Sequence, residues 1–114
     1  MATGAIEAVL QNHVQALVSH DLDGVMKDYT EDSVVFSPRG VTKGLNSIRA
    51  SFSRIITIYT PEVIANMKTI RQEIYGEYAY VLWSAVPAVL FGGDTFHIRD
   101  GKILMQSFIG QTKS

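Results

Sequence analysis

The chain has 114 residues, of which 46% are hydrophobic and 18% charged, and its formal net charge is −1 at pH 7. This length allows one domain, expected over residues 1–114, and the composition excludes a disordered chain. The charges are scattered without a basic face, which argues against nucleic acid and anionic membranes as partners. The sequence holds no cysteine, so disulfides, thiolate metal ligands and cysteine nucleophiles are excluded.

Targeting signals are not visible in the sequence. Residues 1–20 lack the basic segment and apolar run of a secretory signal peptide. The longest apolar stretch, residues 85–91, is far shorter than the roughly 20 residues that a membrane span requires. The sequence therefore predicts a soluble, cytoplasmic protein.

The first predicted helix carries a histidine inside its apolar stripe. Apolar residues recur there at spacings of three and four, and His13 falls within a narrow arc of them. The stripe residues that share this arc are Ile6, Leu10 and Leu17. His13 is either a packed histidine with one hydrogen-bonded nitrogen or the polar group of a cavity. In a cavity, a neutral imidazole is a natural general base.

Two further helices and one strand complete the first half of the chain. Asp21 is suited to cap a second, short helix. A strand over residues 33–38 ends at a Pro-Arg-Gly turn signal. A third helix over residues 45–59 should end before Pro61, because a proline disfavours helix in the residue before it.

After Pro61 the sequence has the pattern of β-strands. Strands separated by Gly, Pro or Asp-Gly are predicted at residues 63–75, 77–86, 89–98 and 103–109. Helices followed by a meander of strands predict an α+β fold. Residues 80–91 are apolar at both parities, so we expect helices to cover one face of the sheet and a second subunit the other.

Asp94 lies in the third of these strands, directly after two glycines. Asp94, Phe96 and Ile98 share one face of the strand, so Asp94 faces the interior if the other two do. Burial there would disfavour the carboxylate and raise the pKa of Asp94. The spacing leaves open whether Asp94 is such an interior acid or caps the end of the sheet in water.

No metal or cofactor motif accompanies these residues. His13, His20 and His97 lack the spacing of metal ligands, and no carboxylate triad joins them. A phosphate-binding glycine loop opening a helix and a nucleophile-elbow motif are also missing from the sequence. We therefore expect neither a metal nor a cofactor.

Three stretches of the sequence resemble the nuclear transport factor 2-like superfamily, especially its SnoaL-like polyketide cyclases and ketosteroid isomerases. They are HDLDGVMKDYTEDSVVFSPRG, KGLNSIRASF and DTFHIRDGKI, and the resemblance spans essentially the whole chain. It implies the cystatin-like cone, in which three N-terminal helices pack in the concave face of a curved, mainly antiparallel sheet around an apolar pocket. It also implies a homodimer through the outer sheet face. These signatures mark the fold better than the reaction, because the superfamily hosts several enzyme classes and non-enzymes.

The resemblance also implies site residues, one position at a time. The general-base aspartate of the isomerases corresponds to Ser37, which has no basic group at neutral pH. Their oxyanion-hole tyrosine corresponds to His13, and their protonated oxyanion-hole aspartate corresponds to Asp94. Two further tyrosines of their hydrogen-bond network correspond to Tyr29 and Phe52, of which Phe52 cannot join such a network.

These correspondences predict a His13–Asp94 pair that transfers a proton on a small apolar molecule carrying a carbonyl or hydroxyl group. The predicted activity is that of a cofactor-independent isomerase, cyclase or dehydratase. The alternative is a non-catalytic small-molecule-binding or dimeric accessory domain. An epoxide hydrolase is disfavoured, because Arg99 lies on the opposite strand face from Asp94.

The register of the last hairpin decides which of its residues face the pocket. A two-residue Asp-Gly loop pairs Asp94 with Ser107, whereas a three-residue loop pairs it with Gln106. The resemblance favours the longer loop, which would place Leu104, Gln106 and Phe108 inward. The predicted ligand-binding residues are Leu17, Tyr29, Val35, Ser37, Phe52, Trp83, Phe96, Gln106 and Phe108.

Overall fold

A computed structural model describes residues 2–112, and for residues 2 and 3 the backbone alone. The helices in this range are α1 (Ala2–Val18), α2 (Leu22–Met26), α3 (Leu45–Ile55), a 3₁₀ helix (Ile56–Ile58) and α4 (Pro61–Asn66). The strands are β1 (Tyr29–Ser37), β2 (Gly40–Lys43), β3 (Lys68–Tyr75), β4 (Tyr78–Ala85), β5 (Val89–Arg99) and β6 (Lys102–Thr112). None of the described helices is both long and apolar enough to cross a membrane.

The strands form one six-stranded sheet in the order β2-β1-β6-β5-β4-β3. Neighbouring strands are antiparallel except β1 and β6, which run parallel. The sheet is curved, and the helices pack against it. The predicted α+β architecture, with helices on a curved and mainly antiparallel sheet, is therefore confirmed.

The core lies between the helices and the concave face of the sheet. Among its most completely buried side chains are Ile48 and Phe52 from α3 and Phe96, Ile98 and Ile103 from β5 and β6. Burying each such side chain contributes roughly 1.5–3 kcal/mol of hydrophobic stabilisation. The apolar stripe of α1 is buried as well, so α1 lies with its His13 face against the sheet.

Helix α4 was not predicted, because residues 63–66 were assigned to a strand that in fact begins at Lys68. Thr60 caps α4: its Oγ1 accepts a hydrogen bond from the backbone N–H of Val63 at 3.2 Å. Pro61 occupies the first turn, where its missing N–H leaves no partner unsatisfied. Pro61 therefore both ends the preceding helical segment and begins the next one.

The β5–β6 hairpin has neither of the two registers considered above. Asp100 and Gly101 both have positive φ and form a two-residue turn, so Arg99 pairs with Lys102. A register shift follows between His97 and Ile98. Beyond this shift Asp94 pairs with Phe108.

The bulge decides which residues of β6 face the interior. Ile98 pairs with Ile103 and His97 with Met105, so Leu104 is the extra residue. Ile103 is completely buried, whereas Leu104, which was expected to point inward, is only half-buried. Beyond the bulge the interior parity is restored, and Gln106 lies buried on the same face as predicted.

Candidate functional site

An open cavity of about 900 Å³ lies between α1 and the concave face of the sheet. This volume falls within the range of small-molecule sites, roughly 300–1,000 Å³. Five predicted site residues line it: His13, Leu17, Trp83, Asp94 and Phe96. The rim is formed by exposed polar side chains, among them Gln11, Gln15, Lys68 and Gln72. The cavity thus has a partly apolar wall, two ionisable groups and a hydrated mouth.

His13 is 4% exposed and lies in an aromatic cluster. Its ring centroid lies 5.5 Å from that of Phe96, 5.8 Å from that of Phe52 and 6.3 Å from that of Tyr29. Desolvation by this burial lowers the pKa of His13 from 6.5 to about 4. Within the described residues its Nδ1 has no hydrogen-bond partner. His13 is therefore a neutral imidazole at neutral pH.

Asp94 reaches the cavity from the middle of β5 and is half-buried there. Desolvation raises the pKa of Asp94 from 3.8 to about 6. The amide Nε2 of Gln106 donates a hydrogen bond to Asp94 Oδ2 at 3.0 Å and opposes this rise. The indole of Trp83 lies beside the carboxylate and also lowers the pKa. Asp94 can consequently take up or release a proton close to neutral pH.

A buried hydrogen-bond chain lies behind Asp94. The hydroxyl of Tyr29 donates to Gln106 Oε1, and the amide of Gln106 then donates to Asp94. Burial raises the pKa of Tyr29 well above its ordinary value, and the nearby charges of Asp94 and Asp28 raise it further. Tyr29 is therefore a neutral hydrogen-bond donor at every pH at which the site would work.

His13 and Asp94 line the same cavity, but no direct hydrogen bond joins them among the residues described. Asp94 is bonded to Gln106 instead, and the nearest rings around His13 are aromatic. The two groups are thus separate polar groups of one cavity, His13 from α1 and Asp94 from β5. Their joint action on a ligand stays a prediction.

Trp83 and Tyr59 form an aromatic part of the cavity wall. Their ring centroids lie 6.2 Å apart with an interplanar angle of 24°, which is a stacked arrangement. Gly92 makes room for the indole, because a Cβ at this position would lie 2.5 Å from Trp83 Cε2. Tyr59 was predicted only as the last residue of the third helix, without a role in the cavity. The periodicity around Tyr59 does not distinguish a cavity position from a core position.

The other predicted site residues lie behind or beside the cavity. Phe52 and Tyr29 support the wall by packing on His13. Val35 is buried in the core, and Phe108 is half-buried opposite Asp94. At the end of β1, the Ser37 hydroxyl accepts a hydrogen bond from the backbone of the adjacent turn. Whether these side chains contact a ligand stays a prediction.

The histidines outside the cavity have structural partners. His97 Nε2 lies 2.9 Å from Glu77 Oε1, and exposed Arg99 also donates to Glu77. His20 Nε2 lies 2.6 Å from the backbone oxygen of Tyr59. In the part of the chain that is described, no group of three or more His, Cys, Asp or Glu side chains could hold a metal ion.

No protein-family model and no curated protein sequence matches this chain, whereas solved structures do. An NTF2-like protein of unknown function from Burkholderia xenovorans is 18% identical, with a TM-score of 0.77 over 100% of this chain and 88% of that chain. A SnoaL-like protein of unknown function from Burkholderia thailandensis is 13% identical, with a TM-score of 0.71 over 97% and 96%. A candidate polyketide cyclase from Sinorhizobium meliloti is 17% identical, with a TM-score of 0.72 over 89% and 93%.

The chain therefore has the nuclear transport factor 2-like fold, as the resemblance predicted. At these identities the similarity establishes the fold alone, and the cavity residues must carry any argument about activity.

Proposed function

We propose that the cavity binds a small, largely apolar molecule with a carbonyl or hydroxyl group, and that Asp94 exchanges a proton with this molecule without a cofactor. One observation carries the proposal: the carboxyl group of Asp94 lies on the cavity wall with its pKa raised by desolvation to about 6. A group whose pKa lies near the working pH is an efficient general acid and base, because both of its forms are accessible.

The reaction class follows from what a carboxylate in an apolar cavity can do. Asp94 would remove a proton from a carbon next to a carbonyl, giving an enolate and a neutral Asp94. Where a carbon–carbon double bond is conjugated with the enolate, returning the proton to its far carbon completes an isomerisation. Attack of the enolate on a second carbonyl of the same molecule forms a ring, and neutral Asp94 then gives its proton to the resulting alkoxide. Leu17, Trp83 and Phe96 supply apolar surface for the ligand, and neutral His13 supplies a second polar contact.

A non-catalytic binding protein is the alternative, and Ser37 favours it. The resemblance assigns the general base of the isomerases to Ser37, a side chain without basicity. Its hydroxyl is engaged with the backbone of Arg39 at 3.2 Å. A chain that has lost that base can keep the cavity as a carrier site.

Proton exchange with a simple ketone tests the proposal directly. The protein is incubated with α-tetralone in deuterium oxide, and NMR follows loss of the protons next to the carbonyl. We expect exchange above the buffer rate in the unmodified protein and a decrease of roughly 100-fold or more in Asp94→Asn, because general acid–base catalysis contributes at least this factor. Binding is followed independently through Trp83 fluorescence, since Trp83 is the single tryptophan.

The matched control is Asp32→Asn, which removes an exposed carboxylate on β1. This variant should exchange at the unmodified rate. Quenching of Trp83 without exchange above the buffer rate would favour the carrier alternative. Equal exchange in Asp94→Asn and the unmodified protein would exclude Asp94 as the proton-transfer group.

A further inference from the structure

Gln106 connects two side chains with different hydrogen-bonding requirements. Its Oε1 accepts from the Tyr29 hydroxyl, while its Nε2 donates to Asp94 Oδ2 at 3.0 Å. Gln106 is 1% exposed and Tyr29 4% exposed, so water does not compete for these groups. An ionised carboxylate only accepts hydrogen bonds, and the N–H side of the amide is the side that suits it.

The reverse orientation of the amide is disfavoured by Tyr29. Turning the amide over would direct Oε1 at Asp94, where it could pair only with a protonated carboxyl group. The Tyr29 hydroxyl proton would then lose its acceptor, because Gln106 is its only hydrogen-bond partner among the described residues. The rings around Tyr29 are those of His13 and Phe52. A buried, unpaired O–H group is unfavourable, so Tyr29 selects the orientation that serves the carboxylate.

Other ionisable groups near Asp94 do not supply a competing positive charge within the cavity. His13 is neutral because its pKa is lowered to about 4, and buried Tyr59 keeps its proton because its pKa is raised. Lys68 and Glu7 lie on the exposed rim, where solvent screens them. The amide of Gln106 is the main directional contact that favours the ionised form of Asp94, and the indole of Trp83 is a second, smaller one.

We propose that Tyr29 and Gln106 act together as positioning residues that hold Asp94 as a carboxylate, so that the cavity takes ligands presenting a hydroxyl or another hydrogen donor to Asp94. The part about ligands rests on the proposed function, since it uses the same cavity. The part about Asp94 does not, because it concerns the unliganded protein. The role is opposite to that of the neutral oxyanion-hole aspartate to which Asp94 corresponds in the resemblance.

Titration of the Asp94 carboxyl carbon by NMR tests the first part. In Tyr29→Phe the amide is free to turn over, and in Gln106→Leu the donor is lost. We expect the pKa of Asp94 to rise in both variants, with Gln106→Leu approaching one unit, a tenfold gain in proton affinity. A merely structural role would lower stability without moving this pKa.

The matched control is Tyr59→Phe, which removes a buried hydroxyl near Asp94 but outside the hydrogen-bond chain. Its Asp94 pKa should equal that of the unmodified protein. An unchanged or lowered Asp94 pKa in folded Tyr29→Phe would overturn the proposal, and this conservative variant keeps the test valid if Gln106→Leu does not fold.

Calorimetry with two probes tests the second part. Well above the Asp94 pKa of about 6, β-naphthol should bind roughly tenfold or more tightly than its methyl ether, which cannot donate. The preference should decrease well below that pH and in Asp94→Asn, because a neutral carboxyl or amide oxygen is a weaker acceptor than a carboxylate. Equal affinities above the pKa would overturn the ligand class. If β-naphthol shows these preferences but α-tetralone does not exchange protons, only the proposed reaction would be contradicted.

Discussion

Two ionisable side chains of the cavity, buried His13 and half-buried Asp94, respond to pH in opposite directions. The pKa of His13 falls from 6.5 to about 4 on folding, so between these values the unfolded chain binds more protons and stability falls as pH falls. The pKa of Asp94 rises from 3.8 to about 6, so between those values the folded protein binds more protons and stability falls as pH rises. Each effect is on the order of 3 kcal/mol, and in the native protein they largely offset each other.

Single substitutions should show separately how each side chain makes the free energy of unfolding depend on pH. In His13→Leu, the free energy of unfolding should decrease as pH rises from about 4 to 6, because only Asp94 remains. In Asp94→Asn, it should decrease as pH falls from 6.5 to about 4, because only His13 remains. Urea denaturation at closely spaced pH values measures both. Slopes of the same sign in the two variants would contradict these pKa shifts.

Gly92 is a residue whose missing side chain shapes the cavity. In Gly92→Ala the new methyl group meets the Trp83 ring at 2.5 Å, so the indole must move. We expect a loss of about 1–3 kcal/mol in stability, typical of overpacking, together with a shift in the Trp83 emission maximum. Gly93→Ala is the control, because a Cβ there has no atom within 4 Å. An unshifted emission spectrum in Gly92→Ala would show that Trp83 is packed differently.

At the scale of the structural elements, the periodicity of apolar residues predicted the long helices and strands well. It did not predict the short helix α4 or the bulge in β6. The helix around His13 and the strand around Phe96 each bury one face. Burial of one face produces a regular spacing of apolar residues, which can be read directly from the sequence. Helix α4 was missed because Val63 and Ile64 favour strands, although Thr60 and Pro61 form a good helix start.

The bulge in β6 could not be predicted for a different reason. The Asp-Gly dipeptide fixes the two-residue turn, but nothing local specifies an extra residue beyond it. The extra residue allows Ile103 to pack inward beside Ile98 while Gln106 still meets Asp94. Tertiary packing determines this arrangement, and a single sequence contains no signal of it. Five of the cavity residues, among them His13 and Asp94, were therefore predicted from the stripe and the resemblance, whereas Tyr59 and the Tyr29–Gln106–Asp94 connection were not.

The cap of α4 gives a test at this scale. Thr60→Ala removes the hydroxyl that accepts the Val63 N–H and should lower the free energy of unfolding by about 1 kcal/mol. Thr60→Ser retains the hydroxyl and should keep most of that stability. Urea unfolding of the two variants measures the difference. Equal stability of Thr60→Ala and Thr60→Ser would mean that the cap does not stabilise α4.

At the scale of the whole molecule, the outer face of the sheet carries exposed apolar side chains. Apolar and aromatic side chains on this face are exposed by 39–60%: Phe36, Tyr78, Tyr80 and Ile109. Exposed apolar patches of this kind commonly mark interaction sites. The homodimer through the outer face stays a prediction, and these residues are where it would form.

Sedimentation equilibrium tests the dimer. The unmodified protein should sediment as a dimer, and Ile109→Glu should shift it towards the monomer, because a charge would be buried in the interface. Ile58→Glu is the control, since Ile58 is 40% exposed but lies on the 3₁₀ helix, away from the sheet. A monomer for the unmodified protein, or equal dissociation in both variants, would contradict an interface on this face.

The parallel pairing of β1 with β6 has a consequence for the order of assembly during synthesis. β6 is central in the sheet, so β1 and β5 each keep an open edge until residues 102–112 have emerged and inserted between them. Such long-range pairing raises the contact order and slows folding compared with a helical domain of equal length. Gln106 arrives with this last strand. The amide that donates to the Asp94 carboxylate is thus supplied only when β6 inserts, and until then Asp94 lacks this hydrogen bond.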